Sequence, residues 1–287
     1  MRRKEAPLGI IGAGVVGGAL LAYLRATRRD VRVYDPPKGH LNLKAVNEAE
    51  TVFVCVPTPY QPGRGFDGTH LVRAVSCIGG SKTVVIKSTV LPGTTHQLQE
   101  QFPRHRFLFN PEFLREATAV DDFAHPDRQI VGVTPRSAPE AQRVMELLPR
   151  APFELICAAE EAEMAKYVAN SFLAVKVSFA NEIFDLCERL GVAYSPVRDI
   201  VAADQRIGAS HTDVFDGGYR GYGGKCLPKD SKSLLDLART VGIGLRVLSA
   251  ADAVNYDLVE PAARVRLPRI HEETVAPAAI VEEEQAA

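Results

Sequence analysis

Net charge is what this sequence has least of: 34 Lys and Arg stand against 35 Asp and Glu in 287 residues, a formal charge of -1. A balance this close to neutral offers no general attraction to nucleic acid or to an anionic membrane. Patterned cysteine is missing too. Cys55, Cys77, Cys157, Cys187 and Cys226 are an odd number with no C-x-x-C pair, which argues against a disulfide framework and a zinc knuckle, leaves no metal site to expect and fits a reducing cytoplasm. The start, "MRRKEAPLGIIGAGVVGGALLAYLRATRRD", imitates a signal peptide, with basic residues before an apolar run. No small-residue cleavage site follows it, however, and "RATRRD" is strongly charged. The expected partner is a small molecule, with no nucleic acid and no membrane.

What is present is apolar material, 46% of residues, enough for a substantial core, in a length that suggests about two domains. In the first half, short β-branched runs alternate with helical patterns, and "LGIIGAG", "VRVYD", "TVFVCVP", "TVVIKST", "RFLFN", "QIVGV" and "FELIC" read as strands. Continuous apolar strands separated by helices imply a parallel sheet covered on both faces, a doubly wound α/β domain over residues 1–157. From Ala158 the pattern becomes one long helix, "AAEEAEMAKYVANSFLAVKVSFANEIFDLCERLG", which opens acidic and closes at Gly191. "SPVRDIVAADQRIG", "SKSLLDLARTVGIG" and "RVLSAADAVNYDLV" read as further helices, so residues 158–260 are expected to form an all-helical second domain. Residues 261–287, rich in Ala, Pro and Glu and poor in aromatics, cannot bury enough apolar area to offset their ordering entropy and are expected to be a disordered tail.

"GIIGAGVVGG" places Gly12, Gly14 and Gly17 as G-x-G-x-x-G directly after a strand and at the opening of a helix. Gly12 permits the tight turn, Gly14 lets the backbone approach a pyrophosphate and Gly17 allows close helix packing, while Val15 and Val16 present helix N-terminal amides. Glycines serving only a turn would need no acid nearby. Here the next strand ends in Asp35, about 20 residues on, where a carboxylate accepts both ribose hydroxyls and repels a 2′-phosphate. A Rossmann-type domain binding NAD in preference to NADP is the expectation.

Three stretches carry candidate chemistry. Lys166 and Asn170 are four apart on one helix and share a face, suited to a sugar hydroxyl and its developing oxyanion, although a solvated lysine and a surface asparagine have the same spacing. Glu112 and Glu116, with Arg115 between them, leave the sheet's carboxyl edge, where α/β ligands bind; two nearby carboxylates suit general-base work, and an acidic first helical turn reads the same way. In "GYGGKCLPKD", Gly221, Gly223 and Gly224 let backbone amides approach a ligand, and Lys225 and Lys229 put positive charge beside Cys226. A nucleophilic cysteine is needed where an alcohol becomes an acid, since the aldehyde must be held covalently to lose a second hydride. An incidental loop cysteine is the alternative.

Together "VPTP" (56–59), "KSTVLPGTT" (87–95), "NPEFLREA" (110–117), "EMAKYVAN" (163–170), "DQRIG" (204–208) and "GYGGKCLPKD" (221–230) resemble, in order, the UDP-glucose/GDP-mannose dehydrogenase family, from about residue 8 to residue 259. The resemblance implies four-electron, NAD-dependent oxidation of a nucleotide sugar at C6 to the uronic acid, UDP-glucose first. It implies Cys226 as the covalent nucleophile, Asp230 and Lys166 as handlers of the first proton, Glu112 as activator of the hydrolytic water, and Lys166 and Asn170 as oxyanion partners. Thr89 and Glu116 match positions that touch the nicotinamide end and order the water, which puts Thr89 among the catalytic residues, with Pro57, Thr58, Ser88 and Lys229 also on the cofactor. Phe113, Leu114, Arg115, Tyr222 and Gly223 fall on the sugar side. Arg206 matches an arginine delivered into the neighbouring subunit's sugar site, which implies a homodimer built on the long helix. Family members continue into a third, nucleotide-holding domain, so this chain is expected to lack it and to obtain the cap from its longer loop before Cys226, from the dimer partner or from a separate polypeptide. Two other readings stay open, a two-domain β-hydroxyacid-type dehydrogenase, whose superfamily shares the Lys-x-x-x-Asn pair, and a non-catalytic family remnant.

Overall fold

In the computed structural model, which describes residues 6–259, each of the seven apolar runs forms a strand. The expected tail lies outside the described residues. The first part of the chain forms β1 (Leu8–Ile11), α1 (Val15–Ala26), β2 (Val31–Tyr34), α2 (Leu43–Val46), β3 (Thr51–Val54), the small hairpin β4 (Tyr60–Gln61) and β5 (Gly65–Phe66), and α3 (Thr69–Ser76). It continues through β6 (Thr83–Ile86), α4 (Thr94–Gln101), β7 (Arg106–Phe109), α5 (Ala119–Ala124), β8 (Arg128–Val133), α6 (Ala141–Met145) and β9 (Phe153–Ala158). The seven main strands order as β2-β1-β3-β6-β7-β8-β9.

Both faces of this sheet are covered, which is why its central strands carry no polar alternation. Val52, Val54, Val84, Ile86, Phe107 and Phe109 point to one core, with Leu71, Val75 and Leu98 of α3 and α4. Ile10, Phe53, Val85 and Leu108 point to the other, with Leu20 and Leu24 of α1 and Phe123 of α5. Each such side chain contributes about 1.5–3 kcal/mol by leaving water.

The sheet is mostly parallel, with one departure from the expected uniform direction. β8 runs antiparallel to β7, overlapping it only at Leu108↔Val133 and Phe109↔Gly132, and β9 runs parallel to β8 over six residue pairs. Six residues of α5 extend about 9 Å, too short to lead the chain back beneath the length of the sheet. The chain therefore re-enters from the carboxyl edge, and Arg128 to Val131 project beyond the end of β7 as one wall of the region described below.

β9 passes directly into α7 (Ala159–Leu190), where Glu161 Oε2 accepts the Ala158 N–H at 3.0 Å; the helix closes on Gly191 at φ 68°. α8 (Tyr194–Ala202), α9 (Leu227–Thr240) and α10 (Arg246–Val259) follow. Tyr167 of α7, Leu234 and Leu235 of α9 and Leu248 of α10 form their shared core. α8 ends six residues before Gly208, because the Asp204 carboxylate takes the Arg206 backbone N–H at 2.9 Å and turns the chain. α9 begins four residues earlier than Ser231, since Pro228 fits a first helical turn. Across the junction, Glu163 of α7 caps α4: its carboxylate accepts the N–H of Gly93 at 2.7 Å and of Thr95 at 2.9 Å. No helix among the described residues is long and apolar enough to cross a membrane.

Candidate active site

At the carboxyl end of β1 the chain turns through Gly12 at φ 88°, where an added Cβ would sit 2.5 Å from the Cys55 carbonyl oxygen. A Cβ on Gly17 would lie 1.9 Å from the Gly12 carbonyl oxygen, so these two glycines are required by the fold itself. Gly14 differs: no atom lies within 4 Å of an added Cβ, and the space beside it is open. α1 starts there with no side-chain cap and no acid in its first turn, which leaves the amides of Val15, Val16 and Gly17 to a ligand anion. Asp35, ending β2, accepts the Ala13 N–H at 2.6 Å, and Lys38 donates to the Ala13 carbonyl. This is a cradle shaped for a pyrophosphate with a carboxylate at the ribose position, so the residues present fit NAD. The neighbouring strand ends are tied together by Thr58, whose hydroxyl donates to the Thr89 carbonyl at 2.6 Å, and by Ser88, which donates to the Val56 carbonyl at 2.7 Å.

The second group of side chains comes from three elements. α7 supplies Lys166 and Asn170, both buried, and α9 supplies the buried Asp230. Asn170 donates its amide to Asp230 Oδ2 at 2.6 Å, and Lys229 pairs with the other carboxylate oxygen. The segment after β7 supplies Phe113, whose ring lies 5.3 Å from Lys166 Nζ and 3.8 Å from the Arg128 guanidinium. Burial pushes the pKa of Lys166 down, opposed by its interactions with Asp230, Cys226 and Glu112, which all lie within its electrostatic reach. Cys226 occupies the N-cap of α9 and is exposed. It is the one cysteine that joins this group. Burial pushes the Cys55 thiol up to about 12 and raises Cys157, while Cys187 is buried in the helical part.

Residues 39–149 match the NAD binding domain of the UDP-glucose/GDP-mannose dehydrogenase family, and residues 160–257 match that family's central domain. The chain belongs to the UDP-glucose/GDP-mannose dehydrogenase family. A UDP-glucose 6-dehydrogenase of Pseudomonas aeruginosa is 38% identical over 228 residues, which cover 72% of this chain and 49% of that protein. The chain spans about half the length of the curated relatives it matches. A UDP-glucose dehydrogenase structure from Pyrobaculum islandicum superposes with a TM-score of 0.71 at 29% identity, covering 91% of this chain and 72% of that one. A 3-hydroxyisobutyrate dehydrogenase of Mycobacterium tuberculosis, 19% identical with a TM-score of 0.70, covers 88% of this chain and 94% of its own, a likeness of fold alone.

Of the residues that resemblance to this family singled out, the structure brings Glu112, Phe113, Lys166, Asn170, Cys226, Lys229 and Asp230 to one junction, between the sheet's carboxyl edge and the helices. Others are engaged elsewhere. Glu112 and Glu116 do not share a helical face, because residues 110–115 are extended and Glu116 only opens a short 3-10 turn, from which it faces Lys225 at 4.0 Å. Lys225 therefore points toward Glu116 and Lys229 toward Asp230. The Lys166 ammonium and the amino end of α9 add positive charge on the Cys226 side. Arg115 is bonded to Asp122 through its backbone N–H at 2.8 Å and its guanidinium at 2.7 and 3.0 Å. Leu114 packs against the second sheet core. The Tyr222 ring is buried with Ala174, Val177 and Leu227, and its backbone N–H and carbonyl are both taken by the Asn255 side chain, at 2.6 and 3.0 Å, so this residue is committed to the fold. Arg206 is 89% exposed and donates only to Asp204 among the described residues. Sequence reasoning assigned nothing to Lys38, Glu163 or Lys87. Lys87 had a readable signal, a single lysine closing an otherwise apolar strand.

Proposed function

We propose that this chain oxidises the primary alcohol carbon of a nucleotide sugar by four electrons to the uronic acid, with UDP-glucose as the first substrate to test. The observation that supports this reading most directly is the exposed Cys226 at the start of α9, which together with Asp230 and Glu112 lies within the electrostatic reach of the buried Lys166. Its named relatives are UDP-glucose 6-dehydrogenases. When bound, NAD supplies the hydride acceptor for both oxidations. Gly12, Gly14, Val15, Val16 and Gly17 hold its pyrophosphate, Asp35 its ribose hydroxyls, and Thr89 and Glu116 its nicotinamide end, with Pro57, Thr58, Ser88 and Lys229 alongside.

The sugar hydroxyl gives its proton to Asp230 through water held with Lys166 as its carbon reaches the aldehyde level. The Cys226 sulfur adds to that carbon, and Lys166 and Asn170 stabilise the oxygen that takes up negative charge. Loss of a second hydride from this thiohemiacetal leaves a thioester on Cys226. Glu112 then takes a proton from water as the water oxygen bonds to the thioester carbon; the carbon–sulfur bond breaks and the uronate leaves.

The same reading assembles two chains through α7, with Arg206 of each completing the other's sugar site, in the cytoplasm. A stripe of Met164, Val168, Phe172, Phe179, Leu186 and Leu190 along α7 is exposed, Phe172 by 64% and Leu190 by 68%. Such an apolar stripe suits a second copy of the same helix.

NADH formation across UDP-glucose, GDP-mannose and UDP-N-acetyl sugars, with stoichiometry, tests the activity. Two NADH per sugar acid are expected. One NADH with a free carbonyl product would move the assignment to a hydroxyacid-type dehydrogenase. No NADH from any sugar overturns both.

A further inference from the structure

Lys87 closes β6 and is 3% exposed. A lysine taken out of water is costly unless its charge is met, and here three groups meet it. Nζ donates to Asn110 Oδ1 at 2.6 Å, stands 3.1 Å from Glu112 Oε2, and lies 5.0 Å over the Phe123 ring. Asn110 is itself fixed, since its amide nitrogen donates to Gln129 Oε1 at 2.8 Å and to the Ile130 carbonyl at 2.7 Å. That pair of bonds decides which end of the Asn110 amide faces Lys87, and so where the ammonium sits. β6, β7 and β8 thus hold one positive charge at a set place on the sheet's carboxyl edge. On the other side, Glu112 Oε1 accepts the Phe113 N–H at 2.9 Å. Both oxygens of this carboxylate are gripped, and each keeps a second lone pair.

We propose that Lys87 is the positioning residue of the hydrolytic half-reaction, holding the Glu112 carboxylate in the orientation in which it takes a proton from the attacking water. The role rests on Glu112 being the base of the proposed function. In that step the water oxygen bonds to the thioester carbon, its proton passes to Glu112, the carbon–sulfur bond breaks and sulfur leaves with the electron pair. Lys87 touches neither water nor sugar, and acts through the carboxylate alone. A base held loosely samples other rotamers, and the loss falls on the one step that uses it. The Lys87 side chain meets Asn110, Glu112 and Phe123 and none of the groups that handle the first proton, which are on α7 and α9.

The test uses the full chain with NAD and the sugar that gives most NADH, following NADH by absorbance and the covalent adduct on Cys226 by intact-protein mass at quenched time points. Lys87→Met removes both charge and donor. Lys87→Gln keeps a donor for Asn110 on a shorter stem without the charge, and so separates support of Asn110 from support of Glu112. In both, NADH should form in the first turnover at close to the wild-type rate, while adduct hydrolysis slows at least about tenfold, part of the 10²–10⁴ that a positioned base contributes. Adduct then accumulates. Lys87→Arg should recover hydrolysis to within about threefold, since it restores a buried cation. A residue that only braced the sheet would lower the melting temperature without changing the ratio of adduct to product. Wild-type hydrolysis rates in a folded Lys87→Met or Lys87→Gln chain overturn the role. If Lys87→Met does not fold, Lys87→Gln decides alone, and if neither folds, unslowed hydrolysis in a Lys87→Ala chain refolded with NAD, or the absence of any folded neutral variant, counts against it. A wild-type chain that makes acid without a Cys226 adduct fails the parent reading instead.

Discussion

Gly14 and Gly17 sit three residues apart in one motif and should fail in opposite ways when a methyl group is added. In Gly17→Ala the new Cβ meets the Gly12 carbonyl oxygen at 1.9 Å, and backbone cannot yield as a side-chain tip can. Unfolding by urea should show a loss of about 1–3 kcal/mol or more. In Gly14→Ala the new Cβ meets nothing within 4 Å, and φ −64° suits alanine. Its stability should change by less than about 1 kcal/mol, the range of N-cap substitutions. NAD titration, in contrast, should weaken by at least about tenfold, because the methyl group fills space kept for the pyrophosphate. Equal NAD affinity in Gly14→Ala would remove the phosphate from that position. On the proposed mechanism, Cys226→Ser should keep NAD binding and lower uronate production on the order of 10³-fold or more, since a hydroxyl would replace the sulfur proposed to carry the thioester. The glycines were legible in sequence because their spacing after a strand exposes them, whereas Cys226 was singled out by its loop together with the ordered motifs around it. Lys87 was legible only in part: a single lysine at the end of an apolar strand can be read as buried, but no local pattern says which carboxylate from the segment after β7 will meet it.

Elements were legible where their cause is local. Seven apolar runs became seven strands, and Gly191 ended α7, because continuous β-branched sequence and a C-terminal glycine act within a few residues. The reversal of β8 was hidden, since strand direction depends on where α5 packs, and the true start of α9 was hidden behind a glycine-rich loop that Pro228 in fact closes. Glu163 shows what such tertiary placement does. Its carboxyl caps α4 from α7, and burial pushes its pKa up to about 7, outweighing the bonds from Thr95 and Gly93 that oppose the rise; Glu160 adds to it. A carboxyl raised in the folded state binds more protons folded than unfolded between its ordinary 4.5 and about 7. Stability from this group is therefore greatest below that window and is lost as pH rises through it. Between pH 5 and pH 7.5 the wild-type melting temperature should carry a downward component of several degrees, at roughly 2–4 °C per kcal/mol for a protein of this size. Glu163→Gln, which cannot titrate, should lack that component in scans across the same range. An unchanged slope in the variant would assign the pH dependence to other groups.

At the scale of the whole molecule, the apolar stripe on α7 and the solvent-facing Arg206 ask for one explanation. Arg206 lies in the turn after α8, solvent-facing and held by Asp204. In the proposed assembly Arg206 reaches the sugar site across a subunit boundary, and the exposed stripe from Met164 to Leu190 is the surface offered for it. Light scattering should report a dimer, and Phe172→Asp with Phe179→Asp should dissociate it, because two charges per chain would then be buried unpaired. Arg206→Ala should weaken sugar binding by about tenfold or more, the loss of one charge-assisted contact, and leave NAD titration unchanged. The decisive measurement is complementation. An Arg206→Ala chain keeps Cys226, and a Cys226→Ser chain keeps Arg206, so a mixed dimer holds one complete site and one doubly defective site. Random exchange makes half of the dimers mixed, so activity should return to roughly a quarter of wild type. No recovery after demonstrated subunit exchange would place Arg206 in its own chain's site or in none, and a fully active monomer would mean that the loop before Cys226 closes the sugar site from within one chain.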